Sequence, residues 1–273
     1  MKFSKEFALK NSLVLCLLVL MYCKDSSRVT ESSIIQIDTL QGTSLLGNPL
    51  TRRQLDIAKD SLQIVNYNLA LEDYKADSLN SDYIIWLGRR IAYLGDYNKA
   101  INRFTEGIIQ FPEDARMYRH RGHRLISIRK FDYAIIDLEK ASQLIQGKQD
   151  RIEPDGIPNR LNKPISSLHT NVWYHLGLGY YLKGELQNAL AAFHECLLAS
   201  KNDDMVVASS HWLYMILRRM DLNDEAKEIL DKISKDMDII ENMSYHKLLL
   251  FYKGELNEDE LVRSPDGSIG ANE

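Results

Sequence analysis

A single period of 34 residues organises the middle of this chain, and it is the length of one helix–turn–helix unit in a stacked repeat array. The pattern is most complete in residues 170–203. There Trp173, Leu176, Gly177, Tyr180, Ala189 and Phe193 stand at the spacing that two packed helices require. Trp173, Leu176 and Tyr180 share one face of a first helix. Gly177 and Ala189 leave room for close contact, and Phe193 fills the wedge between the helices. Residues 81–114 place Ile84, Leu87, Gly88, Ile91, Gly95, Tyr97, Ala100, Phe104 and Pro112 in the same slots. Residues 115–148 follow in the same register with Tyr118, Gly122, Leu125, Phe131, Ala134, Leu138 and Ala141. Gly95, Lys130 and Gly184 fall in the turn between the paired helices, where a residue able to leave the right-handed region helps end the first helix.

On these residues the stretch 81–256 resembles the tetratricopeptide repeat family. The resemblance implies an all-α, right-handed α-solenoid of tetratricopeptide helix-turn-helix repeats. A fourth, degenerate copy occupies 207–240, with Leu213, Leu217, Ala226, Leu230 and Ile233 on the packing face and Tyr214 where the other copies have Gly. Residues 241–260 read as a C-terminal capping helix, and 261–273 as a disordered tail. Residues 51–80 read as one long helix or a degenerate repeat covering the open end, with Leu55, Ala58, Leu62, Val65, Leu69 and Tyr74 at helical intervals. The wider stretch 45–256 also resembles a group of bacterial tetratricopeptide proteins that share an insert like Ile152–Asn159. No activity comes with that likeness.

The insert, 149–169, interrupts the period and holds Pro154, Pro158 and Pro164, so it cannot be continuous helix. It either folds over the repeat surface or serves as a plain connector. In the family, positions 2, 5, 9 and 12 of each repeat tend to face a concave groove. Those slots hold Arg89 in the first repeat, Arg116, Arg119 and His123 in the second, and Asn171, Tyr174, Leu178 and Tyr181 in the third. Arginines hold carboxylates through paired charge-assisted bonds, and tyrosines give broad contact area at low entropy cost. The expected ligand is an acidic peptide segment or a free carboxyl terminus. The competing reading has Arg89, Arg90, Arg119, Arg121 and Arg124 paired with nearby carboxylates, Glu153 and Asp155 of the insert among them.

The amino terminus predicts export. Lys2, Lys5 and Lys10 precede an apolar run, Leu13 to Tyr22, which is too short to span a bilayer but suits the core of a signal peptide over 1–22. Leu20-Met21-Tyr22-Cys23 resembles a bacterial lipoprotein cleavage region, although Tyr22 is bulkier than the small residue usual before the Cys. The resemblance makes Cys23 a lipid anchor and 23–50, rich in Ser, Thr and Gln, a flexible tether. The expected setting is the cell envelope, with the protein facing the periplasm or held in the outer membrane.

A formal net charge of -4 gives no basic excess for nucleic acid. His120 and His123 lie three apart on one helix, but arginines flank them, so neither a metal nor another cofactor is expected. Gly177-Leu178-Gly179 lies inside a helix rather than after a strand, and Asp236 to Glu241 lacks the Gly of a calcium loop. The sequence therefore predicts a non-catalytic scaffold that binds a partner protein or peptide in its groove. The alternatives are a lipoprotein binding an acidic glycan or small molecule, and an enzyme using His120, His123 and Glu153.

Overall fold

The computed structural model describes residues 39–262. The expected signal peptide, Cys23 and most of the tail lie outside them. The described residues form an all-α solenoid entered through one short hairpin, β1 (Leu40–Thr43) and β2 (Pro49–Thr51). The helices are α1 (Ile57–Ala76), α2 (Ser81–Tyr93), α3 (Tyr97–Gln110), α4 (Ala115–Ser127), α5 (Phe131–Ile145), α6 (Leu168–Lys183), α7 (Leu186–Ala199), α8 (Asp203–Arg219), α9 (Asn223–Asp231), α10 (Met243–Tyr252) and α11 (Glu258–Val262). Each helix packs on the next, and α2, α4, α6 and α8, the first helices of the pairs, also contact one another in series.

The repeated residues form the contacts between paired helices. A Cβ on Gly88 would stand 2.5 Å from the Phe104 ring, and one on Gly177 2.6 Å from the Phe193 ring. In the second pair Leu138 takes the place of the Phe, 2.7 Å from where a Gly122 Cβ would be. These side chains are fully buried against glycine backbone, so the slot admits no larger residue. In the fourth pair Tyr214 fills that slot and stacks on Tyr252 of α10, with centroids 4.6 Å apart.

Each first helix ends on one residue with positive φ: Gly95, Arg129, Gly184 and Asp221. In the second repeat that residue is Arg129, one before the expected Lys130, which begins the next helix as its N-cap. Arg129 accepts the unfavourable conformation while its guanidinium donates to the Ile126 and Ser127 carbonyls at the end of α4.

Two expectations at the N-terminal end are corrected. Residues 40–50, assigned to a flexible tether, and Thr51, assigned to the helix after it, fold as the hairpin, because Gln41 is buried and its Oε1 accepts from the Asn98 backbone N–H at 3.0 Å. Gly42 lies against the Ile128 carbonyl, where a Cβ would come within 2.8 Å. In α1 the packed face is Asp60, Tyr67, Ala70, Leu71 and Tyr74, and Leu62, Val65 and Leu69 are exposed. Arg53 fixes the start of α1 with two bonds to the Asp60 carboxylate, and the Arg103 guanidinium sits 4.3 Å from the Tyr74 ring centre.

Candidate functional site

The insert lies on the face made by the first helices. Its two ends pair through an isolated bridge, Ile152 with Ser167, and the Glu153 N–H donates to the Ser166 carbonyl at 3.0 Å. Beyond that pairing the segment runs extended across α2, α4 and α6. Glu153 is buried, and its carboxylate accepts from Asn171 Nδ2 at 2.6 Å and forms an ion pair with Arg119 Nη2 at 3.1 Å. Arg89 donates to the Pro154 carbonyl at 2.8 Å and Arg90 to the Gly156 carbonyl at 2.7 Å. Gly156 rests on Tyr93 so closely that a Cβ would fall inside the phenol ring's contact radius, 1.8 Å from its oxygen. Asn202 Nδ2 donates to the Ile165 carbonyl, and Asn159 Nδ2 to Glu241, which fasten the far side.

Beneath Glu153 the face is strongly basic. His120 Nε2 stands 3.7 Å from Glu153 Oε1 without a hydrogen bond, Arg119 Nη1 meets His120 Nδ1 at 2.7 Å, and Arg119 Nε has no partner. His123 packs on His175, ring centroids 4.0 Å apart. Burial, reinforced by nearby arginines, holds His120 and His123 well below the usual imidazole range and pushes His175 down to about 3. Burial also lowers the Arg119 guanidinium and brings Arg124 down to about 10. Arg124 lies over the Tyr97 ring at 5.5 Å.

The expected groove residues thus divide. Arg89, Arg119 and Asn171 do converge, and what they hold is the chain's own insert. His123 is half-buried and packs against His175. Arg116 is turned aside and tied to Asp114 and Asp82, both at 2.5 Å, so it is a helix-end pair and offers no free cation. Tyr174 belongs to an aromatic cluster: its hydroxyl meets the Tyr245 hydroxyl at 3.0 Å and accepts from Trp212 Nε1 at 2.9 Å. Burial raises the Tyr174 phenol above its ordinary value. Tyr181 stands edge-on to Trp212 and under the Arg219 guanidinium. Arg121, by contrast, makes a bidentate pair with Asp137 away from the insert.

Tyr93, Gly156, Trp212 and Tyr245 are the contributors that repeat spacing did not find. Gly156 had one visible signal, its place between Pro154 and Pro158. Trp212 lies in the fourth copy, where the pattern weakens, and Tyr245 in the capping helix beyond it. Among the described residues no group of three or more His, Cys, Asp or Glu side chains is arranged to hold a metal, and no helix is long and apolar enough to cross a membrane.

The stacked pairs, their glycine slots and their shared turn make an all-α solenoid of helix–turn–helix repeats, the architecture that the tetratricopeptide resemblance implies. No family model and no curated protein sequence matches the chain. Among solved structures, a crystal structure of MamA aligns at 18% identity with a TM-score of 0.48, over 74% of this chain and 98% of that one. MamA from Desulfovibrio magneticus RS-1 aligns at 17% identity and 0.47, over 64% and 86%. The Cut9–Hcn1 hetero-tetramer of APC/C aligns at 15% identity and 0.49, over 72% and 35%.

Proposed function

We propose that the protein is a non-catalytic interaction scaffold whose first-helix face receives an extended acidic segment of a partner protein. The observation that carries this reading is the way the face holds its own insert. Arg119 and Asn171 take a carboxylate, while Arg89 and Arg90 take backbone carbonyls one and three residues further along. That is the recognition pattern of an extended peptide with one acidic anchor, and charge-assisted bonds of this kind fix orientation as well as affinity. The insert then occupies the site until a partner displaces it. The scaffold acts in the bacterial cell envelope, held to a membrane by a lipid on Cys23. A Cys23→Ala protein that fractionates with the membrane as wild type does would remove the anchoring part of this reading.

Gly156→Val tests the groove, because any Cβ at 156 meets Tyr93 and forces the insert off its seat while sparing the arginines. The probe is a labelled peptide copying residues 151–160. The Gly156→Val protein should bind it at least about tenfold more tightly than wild type, and adding Arg119→Ala should abolish the gain. A folded Gly156→Val protein with no measurable binding would refute the reading.

A further inference from the structure

The terminal helix α1 carries two apolar stripes on opposite sides. One packs on α2 through Tyr67, Ala70, Leu71 and Tyr74. The other runs Ala58, Leu62, Val65, Leu69, alternating steps of four and three, and it is exposed: Leu62 by 66%, Val65 by 52% and Leu69 by 55%. Steps of three and four sustained along one face are the seam of a coiled coil, which buries itself only against another helix. At 100° per residue this seam lies opposite Tyr67. The end of a solenoid ordinarily presents a polar outer face, because nothing follows to cover it. Here the end is apolar along most of a 20-residue helix, a length of about 30 Å.

The flanking charges choose the occupant. Lys59, Asn66 and Asp73 recur at seven-residue intervals along one edge of the seam, with opposite charges at the two ends and an amide midway. Two copies of α1 laid antiparallel about a twofold axis at Asn66 set Lys59 beside the partner's Asp73, and repeat that pair by symmetry. Lys59 is 85% exposed with only a loose contact to Asp56 at 3.8 Å, so it is available for this role. A parallel pairing would instead put Glu72 against the same residue of the second copy within the seam, like charge against like.

We propose that the protein forms a twofold homodimer by antiparallel pairing of α1 helices through Leu62, Val65 and Leu69. The two solenoids are thereby joined end to end, and no residue of the insert takes part. A single helix pair is a small interface, so the dissociation constant is on the order of micromolar.

Sedimentation of the full chain in non-ionic detergent tests the proposal. Wild type should move from monomer to dimer with rising concentration, and Leu62→Glu/Leu69→Glu should stay monomeric with the same melting temperature, since both positions are exposed in the monomer. Lys59→Glu should weaken dimerisation about tenfold, and Lys59→Glu/Asp73→Lys should restore it. A wild type that stays monomeric at about 100 μM, as it would with residues 1–38 covering the stripe, overturns the proposal. So does a dimer that survives Leu62→Glu/Leu69→Glu, or a charge swap that fails to restore pairing.

Discussion

Mild acid should unfold this protein, and the cause is buried imidazole. His120, His123, His175 and His211 are all held below the ordinary histidine value, with burial as the largest cause in each; His175 is pushed down to about 3 and His211 to about 4. In the unfolded chain each regains a value of about 6.5. As pH falls through 6.5 the unfolded chain takes up protons that the folded chain refuses, so stability is present above that value and lost below it. At pH 5.5 each histidine costs about 1.4 kcal/mol, and four together cost roughly 6 kcal/mol, a large part of the 5–15 kcal/mol typical of a domain.

Carboxylates hardly intervene in this window, because their ordinary values lie near 4. Where Asp137 and Asp155 are raised by burial their sign is opposite, and their contribution begins only as pH approaches the carboxylate range. Urea unfolding at a series of pH values between 7.5 and 5.5 measures the slope. His175→Gln should remove about a quarter of it, whatever that variant does to stability at pH 7. A slope near zero would refute the reasoning, since it would mean that water reaches the imidazoles and the insert does not seal the face in solution.

Three further outcomes follow from the packing. Glu153→Ala leaves Arg119 buried without its carboxylate, so the insert should detach, and trypsin should cut after Arg151 and Arg160 faster than in wild type while the repeats stay resistant. Gly184→Ala should cost about 1–2 kcal/mol from the positive φ of 82° alone, since nothing lies within 4 Å of the new methyl; Gly177→Ala should cost about 1–3 kcal/mol from overpacking against Phe193. Chemical denaturation of the two distinguishes strain from packing only if both are destabilised, and an unchanged Gly184→Ala would contradict the turn assignment. Asp204→Ala should lose about 3–5 kcal/mol by the same measurement, because that buried carboxylate accepts from the backbone N–H groups of Ile240, Glu241 and Asn242, each at 2.8 Å.

The helix pairs were legible because their cause is local and repeated: Gly88, Gly122 and Gly177 answer one steric demand at one period. The turn residue in the second repeat was misplaced by one, since nothing in the letters Arg129-Lys130 marks which of them takes positive φ. The face of α1 was misread for a different reason. Leu62, Val65 and Leu69 make the more regular apolar stripe, whereas the packed stripe hides its burial in Tyr67, Tyr74 and a salt-bridged Asp60. Periodicity reports that a face is apolar, and it does not report what covers it. At the candidate site the arginines were identifiable by slot, but their partners come from the insert, which has no period and whose path depends on contacts 65 and 66 residues apart in sequence.

The insert is not needed to complete the stack. Between α5 and α6 the chain takes a long detour, yet Ala141, Leu144 and Ile145 still pack directly on Leu168 and Val172, as α3 packs on α4 where no insertion intervenes. The repeats would meet with or without it. What the insert does is bring one carboxylate to Arg119 and Asn171, and cover imidazoles that water would otherwise reach. Asp204 shows the alternative, a carboxylate on the helix itself that holds a neighbouring loop through backbone N–H groups and leaves no cation unbalanced. Glu153, with Asp155 near Arg89, meets a face holding Arg89, Arg90, Arg119 and Arg124, more cations than the insert brings carboxylates. On the proposed reading, that excess is what would let the face exchange its own acidic segment for a partner's.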